Sequence, residues 1–123
     1  MRHILYIDDE DDIREVAGMA IEMGGEFQVE TLGAPKEAVA EASRINPDLI
    51  LLDFRMPEMD GLAVLRALRA EPSTSAIPVV FMTASVQKHE LQSLLDAGAL
   101  GVIEKPFDPM TLSDQVRDYL ADA

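Results

Sequence analysis

The chain contains no cysteine and no tryptophan, and its aromatic residues are limited to four phenylalanines and two tyrosines. Without cysteine there is neither a disulfide framework nor thiol chemistry, which fits a cytoplasmic protein. Basic residues are scarce. Ten Lys and Arg stand against 23 Asp and Glu, a formal charge of −13. Such an excess argues against direct binding to nucleic acid or to an anionic membrane. Long apolar runs are missing too, since nothing approaches the ~18 consecutive apolar residues of a membrane helix. The opening MRHILYIDDE turns acidic where a secretory leader would stay apolar, so it does not read as a signal peptide.

What is present is ordinary globular composition, 48% hydrophobic and 27% charged. A length of 123 residues suits one domain, 1–123, built on a single core. Apolar runs and helical stripes alternate five times, without linkers or low-complexity tracts. His3 to Ile7 reads as a first strand, followed by a helical stripe of Ile13, Val16, Ala17, Ala20 and Ile21 that stops at Gly24-Gly25. Ile13 reads as core, and Met19, off the stripe, as exposed. Phe27 to Leu32 is a weaker strand with the polar alternation of a sheet edge. Pro35 suits a first helical position ahead of Ala38, Val39, Ala42 and Ile45, and Asn46-Pro47 ends that helix.

Leu49 to Leu52 is an unbroken apolar strand that runs into Asp53, and Met56-Pro57 turns the chain before Asp60-Gly61 opens the next helix, with Leu62, Leu65 and Leu68. The fourth strand is expected over Ile77 to Met82, with Pro78 near its start. Leu91, Leu94 and Leu95 mark a fourth helix closed by Gly98. Val102-Ile103 forms a short fifth strand, and Asp108-Pro109 caps a last helix carrying Leu112, Val116 and Leu120. Five strand–helix units with short joints predict an α/β fold: a doubly wound, flavodoxin-like parallel sheet in the order 2-1-3-4-5.

In such a sheet, function gathers beyond the carboxyl ends of the strands, where strand order reverses. The first strand ends at Asp8-Asp9, the third at Asp53, the fourth at Thr83-Ala84-Ser85 and the fifth at Glu104-Lys105-Pro106. Taken singly, each acid is a helix cap and each polar residue a loop partner. Taken together, three carboxylates on one edge repel and need a cation, which a single lysine offsets only in part. A hard divalent ion such as Mg²⁺ suits a site of oxygen ligands. The first turn has acids where a dinucleotide fold has its glycine-rich loop, which disfavours nucleotide or flavin carriage. Phosphoryl transfer fits better. Asp53 would be the nucleophile, Asp8 and Asp9 would hold the metal, and Lys105 and Thr83 would meet the phosphoryl oxygens.

With IDDE at 7–10, LLDFRMPEMDG at 51–61, MTA at 82–84 and KPF at 105–107, the chain resembles the receiver domains of two-component response regulators, including the chemotaxis type. The resemblance spans essentially the whole chain. It implies that Asp53 is phosphorylated by a histidine kinase or a histidine phosphotransfer protein. It also implies that Asp9 binds Mg²⁺ directly, Asp8 largely through water, and Arg55 through its backbone carbonyl. Thr83 would be the switch hydroxyl and Lys105 the bridge to the phosphoryl group, with a cis peptide before Pro106. An output protein would bind the face formed by the fourth helix, fifth strand and last helix.

Two positions depart from the pattern that resemblance supplies. Val102 stands where an aromatic switch residue is usual, so an aromatic flip cannot follow threonine movement here. Arg55 is the second; with Ser85, each two residues past a site residue, it would flank the attacking water and set the acyl-phosphate lifetime. The expectation is a cytoplasmic, stand-alone phosphoacceptor, a monomer with a dimer as the alternative, acting as a signalling output, a relay or a phosphate sink. It is not expected to be an enzyme beyond slow self-dephosphorylation. A receiver fragment of a larger regulator is the alternative, although Met1 close before the first strand suggests a natural start. A phosphatase with an aspartyl nucleophile is disfavoured, because its second acid would fall at Arg55.

Overall fold

The computed structural model describes residues 2–56, 58–84 and 87–122. Among these, five strands and five α-helices alternate: β1 Arg2–Ile7, α1 Asp11–Glu22, β2 Phe27–Leu32, α2 Ala38–Ile45 (entered through a 3-10 turn, Pro35–Glu37), β3 Leu49–Asp53, α3 Gly61–Ala70, β4 Val79–Thr83, α4 Lys88–Asp96, β5 Gly101–Glu104 and α5 Leu112–Asp122. The strands pair in parallel in the order β2-β1-β3-β4-β5, as the alternating pattern predicts.

Side chains alternate across each strand, so both faces of the sheet need cover, and the unbroken apolar runs of β1, β3 and β4 provide it. Leu5, Ile7, Ile50, Leu52, Val79 and Phe81 pack under α2, α3 and α4. Ile4, Tyr6, Leu49, Leu51, Val80 and Met82 pack under α1 and α5. Every residue of β3 and β4 is buried. Full burial of each Leu, Ile or Val contributes roughly 1.5–3 kcal/mol, so these central strands are rigid supports for whatever their ends carry.

Several boundaries differ from the sequence reading. β4 begins at Val79 rather than Ile77, because the Ile77 amide turns back to the Thr74 carbonyl at 3.2 Å and Pro78 has no donor for the ladder. α3 buries Gly61, Val64, Leu65 and Leu68, with Leu62 only half-buried. Asp60 caps that helix, its side chain accepting from the Ala63 amide at 2.9 Å. Asp108 instead closes a separate turn, accepting from the Met110 amide at 2.9 Å, and α5 starts only at Leu112.

On α1 the core face is Ala17, Gly18, Ala20 and Ile21. Ile13, expected in the core, is half-buried, and Val16 is 48% exposed. Both line a surface cavity of about 310 Å³ with Lys105 and Phe107. The apolar stripe is wider than the face the sheet covers, and its N-terminal end overhangs the strand ends. Met19 is exposed as expected.

Candidate functional site

Four strand ends meet at one edge of the sheet. Ile7 lies opposite Leu52 in the register, Asp53 opposite Met82, and Thr83 opposite Glu104, so Asp8, Asp53, Thr83 and Lys105 leave the sheet at similar height. Backbone bonds fix them further. The Phe54 amide donates to the Met82 carbonyl at 3.0 Å, and the Lys105 amide to the Thr83 carbonyl at 2.8 Å. The Lys105–Pro106 peptide is cis, as the resemblance implies. Gly61 sits tight against this edge: an added Cβ would lie 2.9 Å from the Asp53 carbonyl oxygen and 2.7 Å from the Phe81 ring. Only glycine lets α3 begin so close to the end of β3.

Asp8 is fully buried and Asp53 nearly so. Ligand oxygens of Asp8, Asp9 and Asp53 all fall within 4.8 Å of one another. The Lys105 ammonium donates to Asp53 Oδ1 at 2.7 Å and to Asp8 Oδ2 at 3.3 Å. Asp8 Oδ1 accepts from the Glu10 amide at 3.0 Å, and Asp8 Oδ2 also accepts from the Tyr6 hydroxyl at 3.0 Å. Arg14 of α1 grips the Asp8 carbonyl at 2.7 Å and pairs with Asp11. Its guanidinium fills the space a side chain at Gly33 would need.

The electrostatics show an under-compensated cluster. Burial pushes the Asp53 carboxyl above its usual range, the Lys105 bond opposes that, and the neighbouring charges of Asp8 and Asp9 reinforce it. Burial works against the Lys105 ammonium, yet Asp53 and Asp8 together outweigh it and raise its pKa. The Tyr6 phenol, desolvated and next to Asp8, is pushed far above its usual value and stays a donor. One ammonium against three carboxylates leaves two negative charges, the charge of one divalent cation. An all-oxygen donor set of this kind suits a hard ion.

Thr83 is buried at the end of β4, inside the same edge. Arg55 is exposed, its guanidinium 6.0 Å from the centroid of the Phe54 ring. Pro57 and Ser85 lie outside the described residues. Val102 is half-buried on β5 and rests against the α3–α4 side of the core. Three residues escaped the sequence reading: Tyr6, Arg14 and Tyr119. Tyr6 lies two positions before Asp8 on a strand, hence on the same face, and that spacing was the available signal. Tyr119 donates to the Val102 carbonyl at 2.7 Å.

The pattern that defines the response regulator receiver domain matches residues 4–117. The chain belongs to the response regulator receiver domain family. Receivers are the phosphoacceptor domains of two-component signalling. This one is 35% identical to the DNA-binding dual master transcriptional regulator RpaA of Synechocystis over 98% of its length, and covers 49% of that protein. It is 35% identical to the DNA-binding response regulator MtrA of Mycobacterium tuberculosis over 97% of its length, covering 50% of that protein. The receiver thus spans about half the length of these curated relatives. Among solved structures, the chemotaxis response regulator CheY4 of Vibrio cholerae superposes with a TM-score of 0.88 at 29% identity, covering 97% of this chain and 98% of that one. Among the described residues of this receiver, no helix is long and apolar enough to cross a membrane.

Proposed function

We propose that this receiver is phosphorylated on Asp53, in an Mg²⁺-dependent reaction, by a histidine kinase or a histidine phosphotransfer protein. The supporting observation is the convergence of Asp8, Asp9 and Asp53 within 4.8 Å, with Lys105 bonded to two of them. Asp8, Asp9, Asp53 and the Arg55 backbone carbonyl would hold the ion. When bound, Mg²⁺ supplies positive charge that neutralises the phosphoryl oxygens.

The chain's own residues do the rest. A carboxylate oxygen of Asp53 forms the new O–P bond as the P–N bond of the phosphohistidine breaks. The imidazole leaves with that electron pair and is protonated. Lys105 and the Thr83 hydroxyl meet the phosphoryl oxygens as their charge shifts. Water later cleaves the acyl phosphate, at a rate that Arg55 and Ser85 would set. The phosphorylated state is read by a protein at the face of α4, β5 and α5, or drains a kinase as a phosphate sink. The acid that an aspartyl phosphatase needs two residues past its nucleophile is replaced here by Arg55.

The test is incubation with acetyl phosphate, in Mg²⁺ or in chelator, for the wild type and Asp53→Asn. Intact mass should show one phosphoryl group on the wild type in Mg²⁺ alone, and none on the variant. Absence of an adduct that depends on both Mg²⁺ and Asp53 overturns the reading.

A further inference from the structure

Tyr6 is fully buried near the carboxyl end of β1, among Ile4, Leu51, Val80 and Met82. A phenol there needs a partner, because a buried hydroxyl without one is costly. It finds Asp8 Oδ2, at 3.0 Å. The same oxygen is approached by Lys105 Nζ at 3.3 Å, while Lys105 makes its shorter bond, 2.7 Å, to Asp53. Asp8 Oδ2 is therefore shared by two donors of different kinds. One is neutral and held by the core; the other is charged and shared with the phosphoacceptor.

A carboxylate that is fully buried draws on whatever donors reach it. Were the phenol hydroxyl gone, Lys105 would be the donor remaining at Asp8 Oδ2 among the described residues. The ammonium would then be drawn from Asp53 toward Asp8. We propose that Tyr6 is a positioning residue: its buried hydroxyl holds Asp8 and so keeps the Lys105 ammonium on Asp53, where phosphoryl transfer needs it. This rests on the reading of Asp53 as the phosphoacceptor.

The variant is Tyr6→Phe, which keeps the ring in the core and removes only the donor. At saturating Mg²⁺, the rate of Asp53 phosphorylation by acetyl phosphate should fall roughly three- to tenfold, the scale of one hydrogen bond. The Mg²⁺ dissociation constant, measured by calorimetry, should stay within about twofold or tighten, because an Asp8 with fewer donors attracts a cation at least as strongly. An unchanged rate overturns the proposal. So does weakened Mg²⁺ binding with the rate restored at saturation, since the hydroxyl would then serve the ion and not the lysine.

A second measurement does not depend on how that variant folds. The chain has no tryptophan and two tyrosines, so Tyr119→Phe leaves Tyr6 as its sole tyrosine emitter. A phenol bonded to a carboxylate is quenched, and Mg²⁺ at the cluster should raise its emission as Asp8 is neutralised. Emission insensitive to Mg²⁺ counts against the proposal. If the wild type gives no Asp53 adduct, the functional reading fails; if it does and Tyr6→Phe matches it, only the role of Tyr6 fails.

Discussion

Asp53 carries an energetic penalty in the absence of an ion. Its carboxyl is pushed above the usual range first by burial and then by Asp8 and Asp9, with Lys105 returning only part of the loss. A folded pKa above the unfolded value means that stability is fully present below the unfolded pKa and lost as pH rises through the folded one. In chelator at neutral pH, Asp53→Asn should therefore unfold at a higher temperature than the wild type. The difference should shrink as pH falls and the wild-type carboxyl becomes neutral as well. A variant less stable than the wild type at neutral pH would mean that the Lys105 bond outweighs the repulsion. The acids of this site were legible in the sequence because charges at the ends of apolar strands stand out. Tyr6 was not, because a tyrosine inside an apolar run reads as core filler until the structure shows what its hydroxyl touches. Arg14 was hidden for a different reason: it reaches the site through the Asp8 backbone carbonyl, which no side-chain pattern encodes.

At the scale of elements, β5 and α5 are joined in a way that bears on Val102. No aromatic side chain stands at that position. Instead Tyr119 of α5 lies over Gly101, where an added Cβ would come within 2.4 Å of its ring, and donates to the Val102 carbonyl at 2.7 Å. The edge strand and the last helix are thus coupled through backbone, in the face expected to meet an output partner. Gly101→Ala should push the ring off the strand, break that bond and cost about 1–3 kcal/mol, read as a lower denaturant midpoint with an unchanged slope. A midpoint equal to wild type would show that Tyr119 shifts freely and that β5 and α5 are not coupled there. The element order was legible because the change between strand and helical periodicity is a strong local signal. Boundaries were less so. The start of β4 depends on the Ile77 amide bonding Thr74, and the start of α5 on a turn closed by Asp108. Those choices are made by single hydrogen bonds, which periodicity does not register.

At the scale of the whole molecule, the charge of −13 sets two kinds of repulsion that salt can separate. Acids scattered over the surface repel through solvent, and at 0.1 M ionic strength that field decays over about 10 Å. Sodium chloride should therefore raise the unfolding temperature gradually. Asp8, Asp9 and Asp53 differ, because two are buried and their oxygens lie within 4.8 Å, well inside the screening length and out of reach of a diffuse ion atmosphere. Only an ion bound among them relieves that repulsion. An ion that binds the folded state alone adds stability with the logarithm of its concentration, about 2.7 kcal/mol at a hundredfold excess over its dissociation constant. Magnesium chloride should then stabilise the protein beyond sodium chloride at equal ionic strength, and Asp53→Asn should lose most of that excess while keeping its response to sodium. Superimposable melting curves in the two salts would mean that the cluster holds no ion, and that its charge is balanced by Lys105 and the hydrogen bonds around Asp8 alone.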